Sequence, residues 1–216
     1  MADPTITNAA GVTRVTLKST VNASVGDLIG HDGTDWVSAD ADARIAARFM
    51  AMENVPVGGT LGCCESGVLF DSDAPYTAGA SQYLSITPAR HGAIPAISAT
   101  LTIIQRIGHA ISTDTVVFNL TRVGNLYLRA RATFDPASLA AVTARSDTVT
   151  LTGLLTTDNL RFIGAPAAGV GWDSGLVVEH LDVSLADTLR IRLVNPSAAA
   201  LDGASNGNFD VLVLRP

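Results

Sequence analysis

Short apolar stretches alternate with polar residues along the chain, and turn residues separate them. Residues 126–134 show the pattern most plainly. Leu126, Leu128, Ala130, Ala132 and Phe134 take one face of an extended strand, and Tyr127, Arg129, Arg131 and Thr133 take the other. A period of two marks a half-buried antiparallel strand. Leu189, Ile191 and Leu193 alternate likewise with Arg190, Arg192 and Val194. The same reading predicts strands at residues 12–17, 25–30, 36–39, 61–65, 67–70, 81–86, 99–107, 109–111 and 115–120, then at 147–151, 159–163, 176–183, 188–194 and 209–214. Between the second and third of these lies His31-Asp32-Gly33-Thr34-Asp35, whose Asp-Gly supplies the positive φ of a hairpin turn. Residues 44–55 carry two readings. Ala47, Phe49 and Ala51 alternate with Arg48, Met50 and Met52 as in a strand, while the alanine content permits a helical turn. The last strand is apolar on both faces from Val211 to Leu214, which places it centrally in a sheet or under a partner.

Composition agrees with this pattern. Val, Ile and Thr make up a quarter of the 216 residues, whereas Glu, Lys and Gln, the usual solvent-facing helix residues, total six. The expected fold is all-β: two small antiparallel domains, the first compact and barrel-like, the second a β-sandwich. The polar stretch 121–125 with Gly124 divides them, giving residues 12–121 and 122–216. Residues 1–11 carry too little apolar surface to fold alone and read as a flexible N-terminal arm.

Charge and apolar runs narrow the function. The net charge is −6, with −5 in residues 1–121 and −1 in 122–216, so neither half offers the basic footprint that nucleic acid or an anionic membrane requires. No apolar run approaches the ~20 residues of a membrane span, and the first residues lack a signal peptide's basic start, so a soluble product of the cytosol is expected. Cys63 and Cys64 are adjacent and would point to opposite faces of a strand; two buried free thiols are expected in place of a strained vicinal disulfide.

Candidate chemistry is sparse. His31, His91, His109 and His180 are isolated, with no metal-ligand spacing. Asp27, His31, Asp32 and Asp35 crowd one turn but lack the spacing of a calcium loop, and a solvated turn explains them better. Asp71 and Asp73 are two carboxylates in another loop. The nearest approach to a nucleophile elbow is Gly171-Trp172-Asp173-Ser174-Gly175, with serine one place late. The phosphate-cradling loop is absent and the single lysine, Lys18, is remote from any glycine-rich stretch. No enzymatic role, cofactor or metal is expected.

The order of the hairpin motifs is more specific. Val25-Gly26-Asp27-Leu28-Ile29-Gly30, Trp36-Val37-Ser38-Ala39-Asp40, residues 48–52 and Val57-Gly58-Gly59-Thr60 follow one another. Gly67-Val68-Leu69-Phe70, Tyr83-Leu84-Ser85 and Gln105-Arg106-Ile107-Gly108-His109-Ala110 continue the series. Over residues 10–120 this resembles the capsid decoration (cement) proteins of tailed bacteriophages. Lipoyl and biotinyl carrier domains have similar hairpins, but Lys18 precedes the pattern where such a carrier needs a lysine at the hairpin tip. Residues 126–216, with Val149-Thr150-Leu151-Thr152-Gly153-Leu154 and Leu193-Val194-Asn195-Pro196-Ser197, look like a further β domain of phage structural proteins.

The resemblance implies a structural protein that binds the outside of a capsid and stabilises the shell. Its partner would be the major capsid protein and its own state a homotrimer. It would be made in the bacterial host cytoplasm and carried on the exterior of the virion. A head-fibre or tail-associated host-recognition module, with Trp172 in a recognition loop, and a tail structural subunit are the alternatives. For the arm, two readings stand: a frayed end, or a strand in which Thr5, Ile6 and Thr7 add to a sheet edge of a capsid subunit with Ile6 buried.

Overall fold

A computed structural model of the chain describes residues 4–73, 76–96, 100–121, 126–134, 138–164, 176–201 and 207–214. The fold is all-β, with antiparallel sheets and no helix among the described residues, and none of the sheets closes into a barrel. The chain forms two compact units. Residues 1–96 and 103–126 make the first, and residues 97–102 and 127–216 the second.

Two sheets build the first unit. One comprises β2 (Thr13–Thr16), β3 (Leu28–His31), β4 (Trp36–Ser38), β5 (Phe49–Ala51) and β6 (Thr60–Cys64), in the order β2-β6-β5-β3-β4. Its core gathers Val15, Leu17, Ile29, Ala51, Leu61 and Cys63, with Trp36 and Phe49 packed against it. The β3–β4 turn forms as the Asp-Gly signal requires: Gly33 has φ +108°, and Asp32 Oδ1 accepts the N–H groups of Thr34 (2.9 Å) and Asp35 (2.8 Å). The segment 44–55 resolves as the short strand β5, held between β3 and β6. Met50 and Ala51 are both fully buried, because a central strand covered on both faces need not alternate.

The other sheet contains β1 (Thr5–Ala10), β7 (Ser66–Phe70), β8 (Ser81–Leu84), β9 (His91–Gly92), β10 (Thr102–Ala110) and β11 (Thr115–Asn119). Strand β7 lies between β1 and β11, β10 pairs with β11 and with β8, and β8 pairs with β9. Residues Leu69, Ile104, Ile107, Val116 and Phe118 are buried. Buried Gln105 joins β10 to the first sheet: its Nε2 donates to Ala47 O (2.7 Å) and its Oε1 accepts Ala47 N–H (2.8 Å). The arm is part of the fold, since residues 5–10 find in β7 the backbone partners that so short a segment lacks alone.

In the second unit, β12 (Leu126–Phe134), β14 (Asn159–Gly164) and β17 (Gly207–Leu214) pair with β17 in the middle, as its apolar pattern requires. Val211 and Val213 are buried there. Asp210 binds Arg129 (2.6 Å) and Arg131 (2.8 Å) across the β12–β17 ladder, and hydrogen bonds from these guanidinium groups, Arg131 first, hold its carboxyl below the ordinary range. A three-stranded sheet, β13 (Thr143–Thr150), β16 (Thr188–Asn195) and β15 (Val177–Leu185), has β16 at its centre. Leu189, Ile191 and Leu193 are fully buried, while Arg190 and Arg192 on the opposite face pair with Asp182 and Glu179.

Candidate functional site

Cross-strand register assigns the residues of β1, β7 and β11 to two faces, because directly opposed residues in an antiparallel ladder share a face. Ile6, Leu69, Val116 and Ala110 form one row, and its last three members are buried. Thr7, Val68, Val117, His109 and Ser81 form the adjacent row on the opposite face. Thr5, Phe70 and Thr115 form the next row on that outer face. Thr5, Thr7, Phe70 and His109 are exposed, and the remaining members are half-buried. Across these two outer rows there is no Asp, Glu, Lys or Arg. Ile111 is exposed beside them, and its N–H donates to Thr115 O (2.9 Å).

This arrangement sorts the three predicted contact residues. Thr5 and Thr7 lie on the outer face, whereas Ile6 is half-buried over Gly67, where an added Cβ would approach the Ile6 side chain at 3.3 Å and Phe118 at 3.2 Å. A glycine there lets β1 lie close on β7. After Thr7 the ladder slips through a bulge in which Asn8 has φ +51°, and pairing resumes at Ala10 opposite Ser66. The β1 edge away from β7 has no partner strand among the described residues. An uncharged, partly exposed sheet face therefore runs to an open strand edge. The chemistry this offers is backbone pairing and apolar contact, the means by which one β protein joins another.

Among the described residues, the other candidate groups serve turns, packing and ion pairs. Lys18 Nζ lies 3.4 Å from Asp32 and 3.6 Å from Asp35, so the single lysine offsets part of the charge of the aspartate-rich turn. Backbone N–H groups of Asp35 and Thr34, then Lys18, keep the Asp32 carboxyl below its ordinary range. His31 packs edge-on against Trp36, with ring centroids 4.9 Å apart. Asp27 serves a different turn, accepting the Ser24 N–H (2.9 Å). The two cysteines are free and buried, and burial pushes both thiols up to about 11. No group of three or more His, Cys, Asp or Glu is placed to hold a metal among the described residues. The loop 171–175, with Trp172 and Ser174, lies outside the described residues, as do residues 122–125 of the predicted domain break.

No protein family model matches the sequence, and no curated protein or solved structure matches it. The outer rows themselves were open to sequence reasoning only in part. The alternation within residues 67–70 and 115–120 separates the faces, but the docking of β1 and the register that aligns Thr5 with Phe70 and Thr115 are long-range choices.

Proposed function

We propose that this chain is a structural virion protein that binds the outside of a tailed-bacteriophage capsid and stabilises the shell. The observation that carries this reading is the uncharged outer face of β1, β7 and β11 beside the open β1 edge. The β7 and β11 part of this face falls within residues 10–120, the stretch that resembles decoration proteins, and β1 adds Thr5 and Thr7 from just before it. A shell-binding protein needs buried area and geometric fit at a site that exists only in the assembled particle, and it needs no reaction centre. The face suits that task, because its two outer rows offer apolar surface to a partner and contain no carboxylate, lysine or arginine that would have to be desolvated. The charged face of β15 and β16 is a poor alternative, since its carboxylates and guanidinium groups are already paired. The partner is the major capsid protein, and the chain acts as a homotrimer matched to the symmetry of the shell.

The test uses particles of the phage that carries the gene, stripped of this protein. Purified chain is added back, binding is measured to saturation, and the particles are imaged. Expected are saturable binding and ordered density on the capsid exterior. The double variant Thr5→Lys with Thr7→Lys places two charges at exposed positions of the outer face and should abolish binding while its thermal unfolding stays near that of the parent. Density confined to the tail or to fibres overturns the proposal, as does undiminished binding by a folded double variant.

A further inference from the structure

A polar cavity of about 370 Å³ lies in the first unit, apart from the outer face. One wall is the turn of residues 24–27 ahead of β3, closed by Ser24 N–H on Asp27 Oδ2 and by Val25 N–H on Asn54 Oδ1 (both 2.9 Å). The facing wall is made by Leu69 and Asp71 at the end of β7, by Tyr76, and by Arg90 and His91 at the start of β9. The Tyr76 and His91 rings stack with centroids 5.6 Å apart and planes 20° from parallel. None of the chemistry argued so far uses these groups.

His91 Nδ1 is buried without a partner. Leaving a buried polar atom unsatisfied is costly, and a hydroxyl group that reaches this ring relieves that cost. Burial keeps the His91 imidazole neutral down to about pH 4 and pushes the Tyr76 phenol up to about 12, so both stay uncharged. A neutral imidazole offers one donor and one acceptor, and a phenol can act as either. Asp71 Oδ1 holds the Asp73 N–H (3.0 Å), leaving Oδ2 as an acceptor, and Asn54 Nδ2 is a donor. Arg90 supplies further donors, with Asp27 3.8 Å behind it.

Charge then selects the ligand. An anion would meet Asp71, with a single guanidinium already opposed by Asp27. A divalent cation would meet Arg90 and find one lining carboxylate, where calcium takes six to eight oxygens. What fits is an uncharged molecule that donates and accepts at many points. We propose that this cavity binds a neutral, hydroxyl-rich compound of monosaccharide size, with hydroxyls on His91, Tyr76, Asp71 and Arg90. Its volume lies in the range of small-molecule sites. The inference is independent of the capsid reading, because it rests on a different part of the unit and its readout needs no particle.

The experiment is a titration of the full chain, followed by NMR of the histidine ring resonances. The probes are the methyl glycosides of glucose, galactose and N-acetylglucosamine, with glucuronate and glucosamine as charged counterparts and inorganic phosphate and calcium as ionic controls. At least one neutral sugar should shift His91 saturably and leave the exposed His109 ring unmoved. The charged counterparts should bind at least about tenfold more weakly. Tyr76→Phe and Asp71→Asn should each weaken binding by about tenfold with an unchanged unfolding temperature, since each removes one hydrogen bond at the ligand. The proposal is overturned if no neutral sugar moves His91, if charged forms bind as well, if phosphate or calcium alone moves it, or if both folded variants bind like the parent.

Discussion

Asn195, the last residue of β16, is fully buried and ties two loops of the second unit together. Its Nδ2 donates to the carbonyls of Leu139 (2.9 Å), Ala140 (3.1 Å) and Ala199 (2.8 Å), and its Oδ1 accepts from Ser197 N–H (2.9 Å) and Ser197 Oγ (2.7 Å). Asn195→Ala removes all five contacts, yet the three carbonyls each keep another donor: Leu201 N–H, Thr143 Oγ1 and Ser197 Oγ. Only the Ser197 N–H is orphaned. That loss and the vacated space together cost about 2–3 kcal/mol, a large part of the 5–15 kcal/mol typical of a domain. Asn195→Asp keeps the acceptor for Ser197 but turns an oxygen toward three carbonyls and buries a charge, so about 3–5 kcal/mol is expected at pH 7. The introduced carboxyl would have a raised folded-state pKa. Its penalty should therefore shrink as pH falls through that value, when it regains a proton and can donate. Hydrogen exchange across residues 139–151 and 188–201, measured at pH 7 and pH 5, reads both effects. An aspartate variant no less stable than the alanine variant at pH 7, or one whose deficit does not narrow at pH 5, would refute this account of the site.

Two other titrations follow from burial. Cys63 and Cys64 should resist thiol reagents in the native protein at pH 8 and react at once in denaturant; native labelling at the denatured rate would contradict their burial. Because both thiols are raised from 9.0 to about 11, the unfolded chain sheds these protons first, so this contribution to stability is present below pH 9 and falls away toward pH 11. Asp40 is raised from 3.8 to about 6 by burial, with the neighbouring Asp42 carboxylate adding to the effect. The unfolded chain ionises there first, so stability falls between about pH 4 and pH 6. Asp40→Asn, which can still accept the Asp42 N–H (3.2 Å), should stabilise the protein at pH 7 by on the order of 1 kcal/mol and change little at pH 4. Equal effects of the substitution at the two pH values would argue against it.

The sequence by itself determined the fold class and the assignment of faces. A period of two is a local property: it placed Leu189, Ile191 and Leu193 inside and Arg190 and Arg192 outside, with no reference to which strands pair. The Asp32-Gly33 turn was equally legible, because the aspartate carboxylate and the positive φ act within four residues. The apolar run 211–214 signalled a central strand for the same reason. What the tertiary structure decided are meetings between residues far apart in the chain. Residues 5–10 look free in the sequence because nothing local shows that β7 offers them an unpaired edge, or that Gly67 makes room for Ile6. Likewise residues 97–102 join the second unit although the nearest composition break lies beyond residue 120. His91 was isolated in sequence, yet the fold stacks it on Tyr76 and places it beside Asp71 and Arg90. Periodicity records how each residue divides itself between water and protein. It carries no record of which neighbour waits on the protein side, and only closure of the long loops between strands supplies one.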